Sequence, residues 1–405
     1  MKKYTRLVPF LNIIKEFIES KNGYELAGML NVKILHSTGL MKQISQPDHA
    51  RDLCRKNLPR YWDDTIYSQL RALYHYQTNN VVEACLEQKN CVLAFHRLFP
   101  DLDRWSLPIH YIIHSDLYYL SVLADKELIA NNKKAGNLEE AARAFNKAFT
   151  YCVIDRRVQI ANSRKWGTYY IANLLFKTYF KLKSISLCKN IQRAIDAGDM
   201  PKLEEYPIAE QTTFHYYSGL LLFLEEQYHE AEKHLLKAFK YTKGKSEKNE
   251  LIIIHLLIPI RLLSGVIPSY NLLNYHSSIK SVYGGMVDAI RSGNIRQFDQ
   301  CLKENEKELL KYNTYLTIEK CRLLCIRRLF KKVYFMEGKL TRMKVTSFQQ
   351  ALKFVGVDVK LNEVECLLAI MVDKGYIRGY ISHEKSILVL SATNAFPNVT
   401  SISLA

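Results

Sequence analysis

Between Lys320 and Lys344 the chain sets nine basic side chains, Lys320, Arg322, Arg327, Arg328, Lys331, Lys332, Lys339, Arg342 and Lys344, against one acid, Glu337. Lys374, Arg378 and Lys385 follow at wider spacing. Lysine and arginine at such density neutralise phosphates and release the counterions condensed on them. The residues expected to contact phosphate are Lys331, Lys332, Lys339, Arg342, Lys344, Lys374, Arg378 and Lys385. The whole chain agrees in sign: 57 Lys and Arg against 40 Asp and Glu give a formal net charge of +17. That excess fits a polyanionic partner, either nucleic acid or an acidic protein.

Residues that could catalyse do not assemble. Gly244-Lys245-Ser246 has the end of a phosphate loop, but Phe239 stands where the motif needs its first glycine, so the backbone nest is not expected. No HExxH, GxSxG or GxGxxG occurs, which removes the usual anchors of zinc-protease, hydrolase and dinucleotide chemistry. His110 and His114 stand at i, i+4, the spacing of a metal pair, yet no third ligand lies near them in sequence; they read as a satisfied pair. Asp125 with Glu127, and Glu139 with Glu140, read as solvated helix charges. Nine cysteines, among them Cys85 and Cys91, Cys321 and Cys325, lack CxxC spacing and read as buried, reduced thiols, which points to cytosol or nucleus. The chain is therefore expected not to be an enzyme, with no cofactor, no metal and no small-molecule substrate.

The elements that must hold the basic residues are helical. Gly and Pro number only 16 and 10, which favours long helices over turn-rich strands. One phrase recurs. Gly136-Asn137-Leu138 leads to Ala141, Ala144, Phe145, Ala148 and Phe149; Gln227-Tyr228 leads to Ala231, His234, Leu235, Ala238 and Phe239; Gly293-Asn294-Ile295 leads to Phe298, Cys301 and Leu302. Each copy puts small and apolar residues on one helix face behind a polar turn, the pattern of stacked helical hairpins. Helical periodicity also runs through 63–73, 81–98, 109–128 and 166–183, with loops expected at 131–136, 199–207 and 243–249. The most apolar run, 251–267, is broken by His255, Pro259, Arg261 and Gly265, so it reads as a core helix and not a bilayer span. The opening Met1-Lys2-Lys3-Tyr4 and the residues after it lack a secretory pattern. A soluble chain with no membrane insertion is expected.

From about Tyr312 the texture changes. Residues 314–335 read as one helix, 346–353 as a second capped by Ser347, and 361–374 as a third capped by Asn362 and closed by Gly375. Alternation over 376–381, a polar turn at 382–385 and an apolar run at 386–390 read as a β-hairpin. Three helices followed by a hairpin is the winged-helix order. The third helix offers Glu363, Glu365 and Asp373 and almost nothing to read bases, so contact with nucleic acid is expected to be sequence-independent.

Helical repeats running into a C-terminal winged helix resemble the PCI family of scaffold subunits. Longer phrases narrow the resemblance. Lys165-Trp166-Gly167, Leu175-Phe176-Lys177, Tyr179-Phe180-Lys181, Arg193-Ala194-Ile195-Asp196, Leu329-Phe330-Lys331-Lys332-Val333-Tyr334, Ala351-Leu352-Lys353-Phe354 and Gly379-Tyr380-Ile381-Ser382-His383 resemble the PCI-domain-containing protein 2 family over residues 61–397. Residues 1–60 match poorly. The fold implied is an all-α, tetratricopeptide-like superhelix followed by a winged helix: 1–205 helical repeats, 206–311 the helical part of the PCI domain, 312–393 its winged helix, 394–405 a tail. The resemblance implies a nuclear, pore-associated subunit of the second transcription-and-export complex, with cytoplasm as a further location. Its implied partners are a large PCI-containing scaffold subunit, a small acidic disordered subunit, and RNA or DNA. The alternative is a purely architectural subunit of a signalosome-like or lid-like assembly without nucleic-acid contact.

Overall fold

The computed structural model describes residues 5–34, 37–157 and 159–402. The opening Met1 to Tyr4 lies outside the described residues. The chain divides into two compact units, Met1–Tyr217 and Ser218–Ala405.

The first unit is helical throughout: α1 (Leu7–Glu19), α2 (Gly23–Leu30), α3 (Thr38–Ile44), α4 (Pro47–Asn57), α5 (Trp62–Gln77), α6 (Val81–Leu98), α7 (Leu107–Ala130), α8 (Asn137–Val153), α9 (Thr168–Lys181) and α10 (Ser186–Ala197). Helix α11 (Ile208–Leu224) begins in it and ends in the second unit. From α5 onward each helix packs on the next in sequence as far as α10, which is what a run of apolar-faced helices with short polar turns must do. The face read from sequence in α8 is the buried one, with Leu138, Ala141, Phe145, Ala148 and Phe149 inside, while Ala144 is half-buried beside a fully covered Ala142. Phe95, Phe145 and Phe176 are almost wholly buried, each such ring stabilising by roughly 1.5–3 kcal/mol.

Asp125 is not a solvated charge. Its carboxylate accepts from the backbone N–H groups of Gly136, Asn137 and Leu138 at 3.1, 2.9 and 2.9 Å. Helix α7 thereby caps the unsatisfied start of α8 across the turn. Burial raises the Asp125 pKa, but these three hydrogen bonds outweigh it and hold the carboxyl below its ordinary value.

The second unit runs α12 (Tyr228–Thr242), α13 (Glu247–Leu263), α14 (Tyr270–Leu273), α15 (Ser277–Ser292), α16 (Ile295–Glu304), α17 (Glu306–Lys311), α18 (Tyr315–Lys320), α19 (Arg322–Met336), β1 (Arg342–Lys344), α20 (Val345–Phe354), α21 (Leu361–Asp373), β2 (Gly379–Ser382) and β3 (Ile387–Leu390). The second and third copies of the repeated phrase open α12 and α16. Residues 251–263 are part of the buried helix α13, with Pro259 inside it. That helix starts at Glu247, so the loop expected to reach 249 is shorter. No helix among the described residues is long and apolar enough to cross a membrane.

Five local readings change. The helix expected over 314–335 is two, α18 and α19, meeting at the buried Cys321, whose N–H turns back to Ile318 O at 2.9 Å. Ser347 lies inside α20, which Lys344 precedes without a side-chain cap. Asn362 lies inside α21, where Glu363 accepts from the Lys360 backbone N–H at 3.0 Å and closes the first turn. The hairpin is one part of a three-stranded antiparallel sheet in the order β1-β3-β2. Residues 395–397 and 399, placed above in a tail, are buried: Arg327 Nε and Nη2 donate to Tyr376 O and Pro397 O, and Phe396 packs on Tyr334.

Gly293 ends α15 in the left-handed region at φ +74°. A Cβ there would lie 2.8 Å from the Leu329 backbone nitrogen. Only glycine lets α19, the helix that carries most of the basic run, lie so close to this turn.

Candidate nucleic-acid interface

The sheet register decides what the basic residues can do. Arg342 pairs with Val389 and Lys344 with Ile387 across β1 and β3; Tyr380 pairs with Val389 and Ser382 with Ile387 across β2 and β3. Directly paired residues share a face. Met343, Leu388 and Leu390 point into the core and are buried. The other face therefore carries two ranks, Arg342–Val389–Tyr380 and Lys344–Ile387–Ser382, each about 10 Å across at the usual strand spacing. Tyr380 is 64% exposed. Lys385 sits in the β2–β3 turn, and Ser386 next to it accepts from the Val345 N–H at 3.0 Å, which brings that turn beside Lys344.

Of the eight residues expected to contact phosphate, Arg342 and Lys344 are the two ends of β1 on the same sheet face, and Lys385 in the hairpin turn lies beside the Lys344 end. Arg378 enters β2 at the opposite edge, its N–H bonded to Ala395 O and its carbonyl to Ser391 N–H. Lys374 follows α21, and Lys339 lies in the loop before β1 with its ammonium 5.3 Å from the Phe335 ring. All of these except Lys331 are exposed, as is Lys332. Lys332 is turned inward onto Ser292 O at 2.6 Å. Lys331 is half-buried and lines a cleft of about 290 Å³ with Arg291, Arg327, Arg328 and Asn398. Burial, then the guanidinium groups of Arg327 and Arg328, lower its pKa.

The rest of the basic run is structural. Lys320 pairs with Glu226 at 2.6 Å, and Arg322 grips Asp299 through two bonds of 2.7 and 2.8 Å. Arg328 donates to Arg291 O at 3.1 Å, closing the carbonyl end of α15. The hairpin is tied to α21 by His383 Nδ1 and Glu365 Oε2 at 2.7 Å. The open side of α21 offers Glu363, Cys366, Ile370 and Asp373, all exposed, an acidic and apolar surface unsuited to a phosphate-lined groove.

Sequence reasoning missed β1, Tyr380 as the ring on the cationic face, and a second surface. Met336 and Phe354 are 86% and 90% exposed. They border a cleft of about 800 Å³ whose walls include Leu329, Val333, Ala351 and Val355. Exposed apolar surface of this kind marks a protein-binding face. The repeated large apolar residues in Val333-Tyr334-Phe335-Met336 were its sequence signal, since one helix face cannot bury all four.

His110 and His114, set aside as a metal pair, are core residues. His96 Nε2 lies 3.0 Å from His114 Nε2, and His114 Nδ1 bonds His110 O at 2.7 Å. Burial depresses all three imidazoles, His96 to about 2 and His114 to about 4. No group of three or more His, Cys, Asp or Glu among the described residues is arranged to hold a metal. The Gly244 N–H that a phosphate loop would offer to an anion is held by Glu250 Oε1 at 2.6 Å. All nine cysteines are free; Cys301 is half-buried and Cys366 is exposed, departing from the uniformly buried set expected.

Residues 302–392 match the PCI domain. PCI domain-containing protein 2 of Xenopus laevis is 32% identical over 398 residues, covering 97% of this chain and 98% of its own length. A protein CSN12 homolog of Mycosarcoma maydis is 35% identical over 401 residues, covering 87% and 88%. Enhanced ethylene response protein 5 of Arabidopsis thaliana is 30% identical over 335 residues, covering 81% and 79%. The Xenopus match reaches into residues 1–60, which the sequence phrases had left out.

Proposed function

Because the chain belongs to the PCI-domain-containing protein 2 family, we propose that it is a non-catalytic scaffold subunit of a nuclear messenger-RNA export complex, working at the nuclear pore. In this reading its winged helix pairs with a large PCI-containing subunit, and a small acidic subunit completes the complex. The sheet face built from Arg342, Lys344 and Tyr380, with Lys385 beside it, contacts RNA or DNA without reading sequence. The observation that carries the nucleic-acid part is that face: two cations and an exposed aromatic ring on one flat surface are what a single strand needs for phosphate contact and base stacking. The +17 charge of the chain supports the same polarity of partner.

A second reading rests on the apolar cleft at Met336 and Phe354 and on the likeness to CSN12 homologues. It makes the chain an architectural subunit of a signalosome-like assembly whose basic surface meets only protein. Binding of a fluorescent single-stranded RNA, measured across a salt series with the chain alone and with a PCI-containing partner, separates the two. Salt-steep binding that strengthens in the pair supports the export reading. Absence of binding by folded protein at low salt leaves the architectural one.

A further inference from the structure

Another cleft lies in the first unit, away from the basic winged helix in sequence, and its chemistry is opposite. It encloses about 910 Å³ between the start of α2, the approach to α7, Trp166 and the segment 204–211. In a chain of net charge +17, its cations are already engaged. Lys21 Nζ pairs with Asp103 at 3.4 Å, and Arg104 donates to Ala161 O while lying 4.4 Å over the Trp166 ring. Glu204 and Glu205 stand exposed at the rim without a side-chain partner among the described residues.

Glu210 lies deeper. It is 8% exposed, lines the same cleft, and its Oε2 makes no hydrogen bond among the described residues. Solvated rim acids need no explanation, whereas a buried carboxylate oxygen with nothing to accept costs free energy unless a cation meets it. The walls suit a cation as well. Trp105, Trp166, Tyr111 and Tyr206 line the cleft, and aromatic rings attract ammonium and guanidinium groups.

We infer that this cleft binds a lysine or arginine side chain presented on a basic peptide segment, with Glu210 as counter-ion at its floor and the tryptophan rings as its walls. A single side chain does not fill such a volume, and Glu204 and Glu205 at the rim are placed for neighbouring cations of the same segment. Burial pushes the Glu210 carboxyl up to about 7. The phenols of Tyr111 on α7, Tyr170 on α9 and Tyr206 ahead of α11 face it, while Lys21, Asp103, Arg104, Glu204 and Glu205 line the same cleft. The peptide needs the ionised form, so its affinity falls as pH drops through that value.

The molecule carries its own reporter. Two of the three tryptophans, Trp105 and Trp166, line the cleft, and the third, Trp62, stacks on Trp105 at 6.1 Å. Titrating the full chain with an arginine-rich hexapeptide should change intrinsic fluorescence saturably, and an equal-length glutamine peptide should not. Glu210→Gln, which keeps the side-chain shape, should weaken binding about tenfold, the worth of a hydrogen bond to a charged group, and remove the decline between about pH 7.5 and about pH 6. Should Glu210→Gln lose its helical circular dichroism, the exposed double variant Glu204→Gln/Glu205→Gln supplies the test through a several-fold loss. Unchanged affinity in a folded Glu210→Gln, or in the rim variant where it stands in, overturns the inference. So does an equal response to the glutamine peptide.

Discussion

Replacing Arg342 and Lys344 together by Gln removes two cations from β1 and leaves Met343, which anchors the strand in the core, untouched. The size of the effect follows from how many basic residues are free. Lys339, Arg342, Lys344, Lys374, Arg378 and Lys385 have no carboxylate or carbonyl partner for their side chains among the described residues, whereas Lys320, Arg322, Arg327, Arg328 and Lys332 do. Each phosphate contact on a single strand contributes about 0.7 to the slope of log Kobs against log salt, so six contacts give a slope of about −4 and four give about −3. A fourfold rise in salt then weakens the native chain about 300-fold and the double variant about 50-fold. Fluorescence anisotropy with a labelled RNA of mixed sequence reads both slopes. Lys332→Gln is the control, because its ammonium is held by Ser292 O, and its slope should match the native one. An unchanged slope in the double variant, or an equal flattening by Lys332→Gln, refutes the assignment of the sheet face.

Three further outcomes follow from the packing. Asp125→Ala removes the cap of α8 and should cost about 1–2 kcal/mol; because the folded pKa is lowered, the loss is full above the unfolded carboxyl value near about 4 and shrinks as pH falls through the folded value, which thermal melts at neutral and acid pH would record. Gly293→Ala combines a left-handed backbone with a Cβ 2.8 Å from Leu329 N, whereas Gly244→Ala, at φ +75° with nothing within 4 Å, carries only the backbone cost of about 1–2 kcal/mol; the first should lower the melting temperature clearly more than the second. Phe354→Ser, at a 90% exposed position, should leave stability within about 0.5 kcal/mol while weakening co-elution with a PCI-containing partner on size exclusion.

Local pattern made the helices and the hairpin legible. The face of α8 and the starts of α12 and α16 follow from small and apolar residues at helical spacing, which any window of sequence carries. Strand β1 does not follow, because three residues hold no period, and Arg342-Met343-Lys344 becomes a strand only by pairing with β3, far along the chain. The role of Asp125 is hidden for the same reason: the helix it caps is not its own. The basic run was visible as charge, yet what separates Lys332 from Lys344 is where each ammonium finds a partner, and Ser292 O lies 40 residues away. Tyr380 gained meaning only through the register that puts it and Arg342 on either side of Val389.

The most direct measurement is the composition of the complex that the tagged chain brings out of gently lysed nuclei, with crosslinked RNA quantified in the same sample. The export reading predicts one large PCI-containing subunit and a small acidic subunit in stoichiometric amounts, with messenger-RNA export factors and RNA that is lost in the Arg342→Gln/Lys344→Gln variant. Recovery of deneddylase or proteasome-lid subunits in their place, with RNA no higher than in an untagged control, would contradict it.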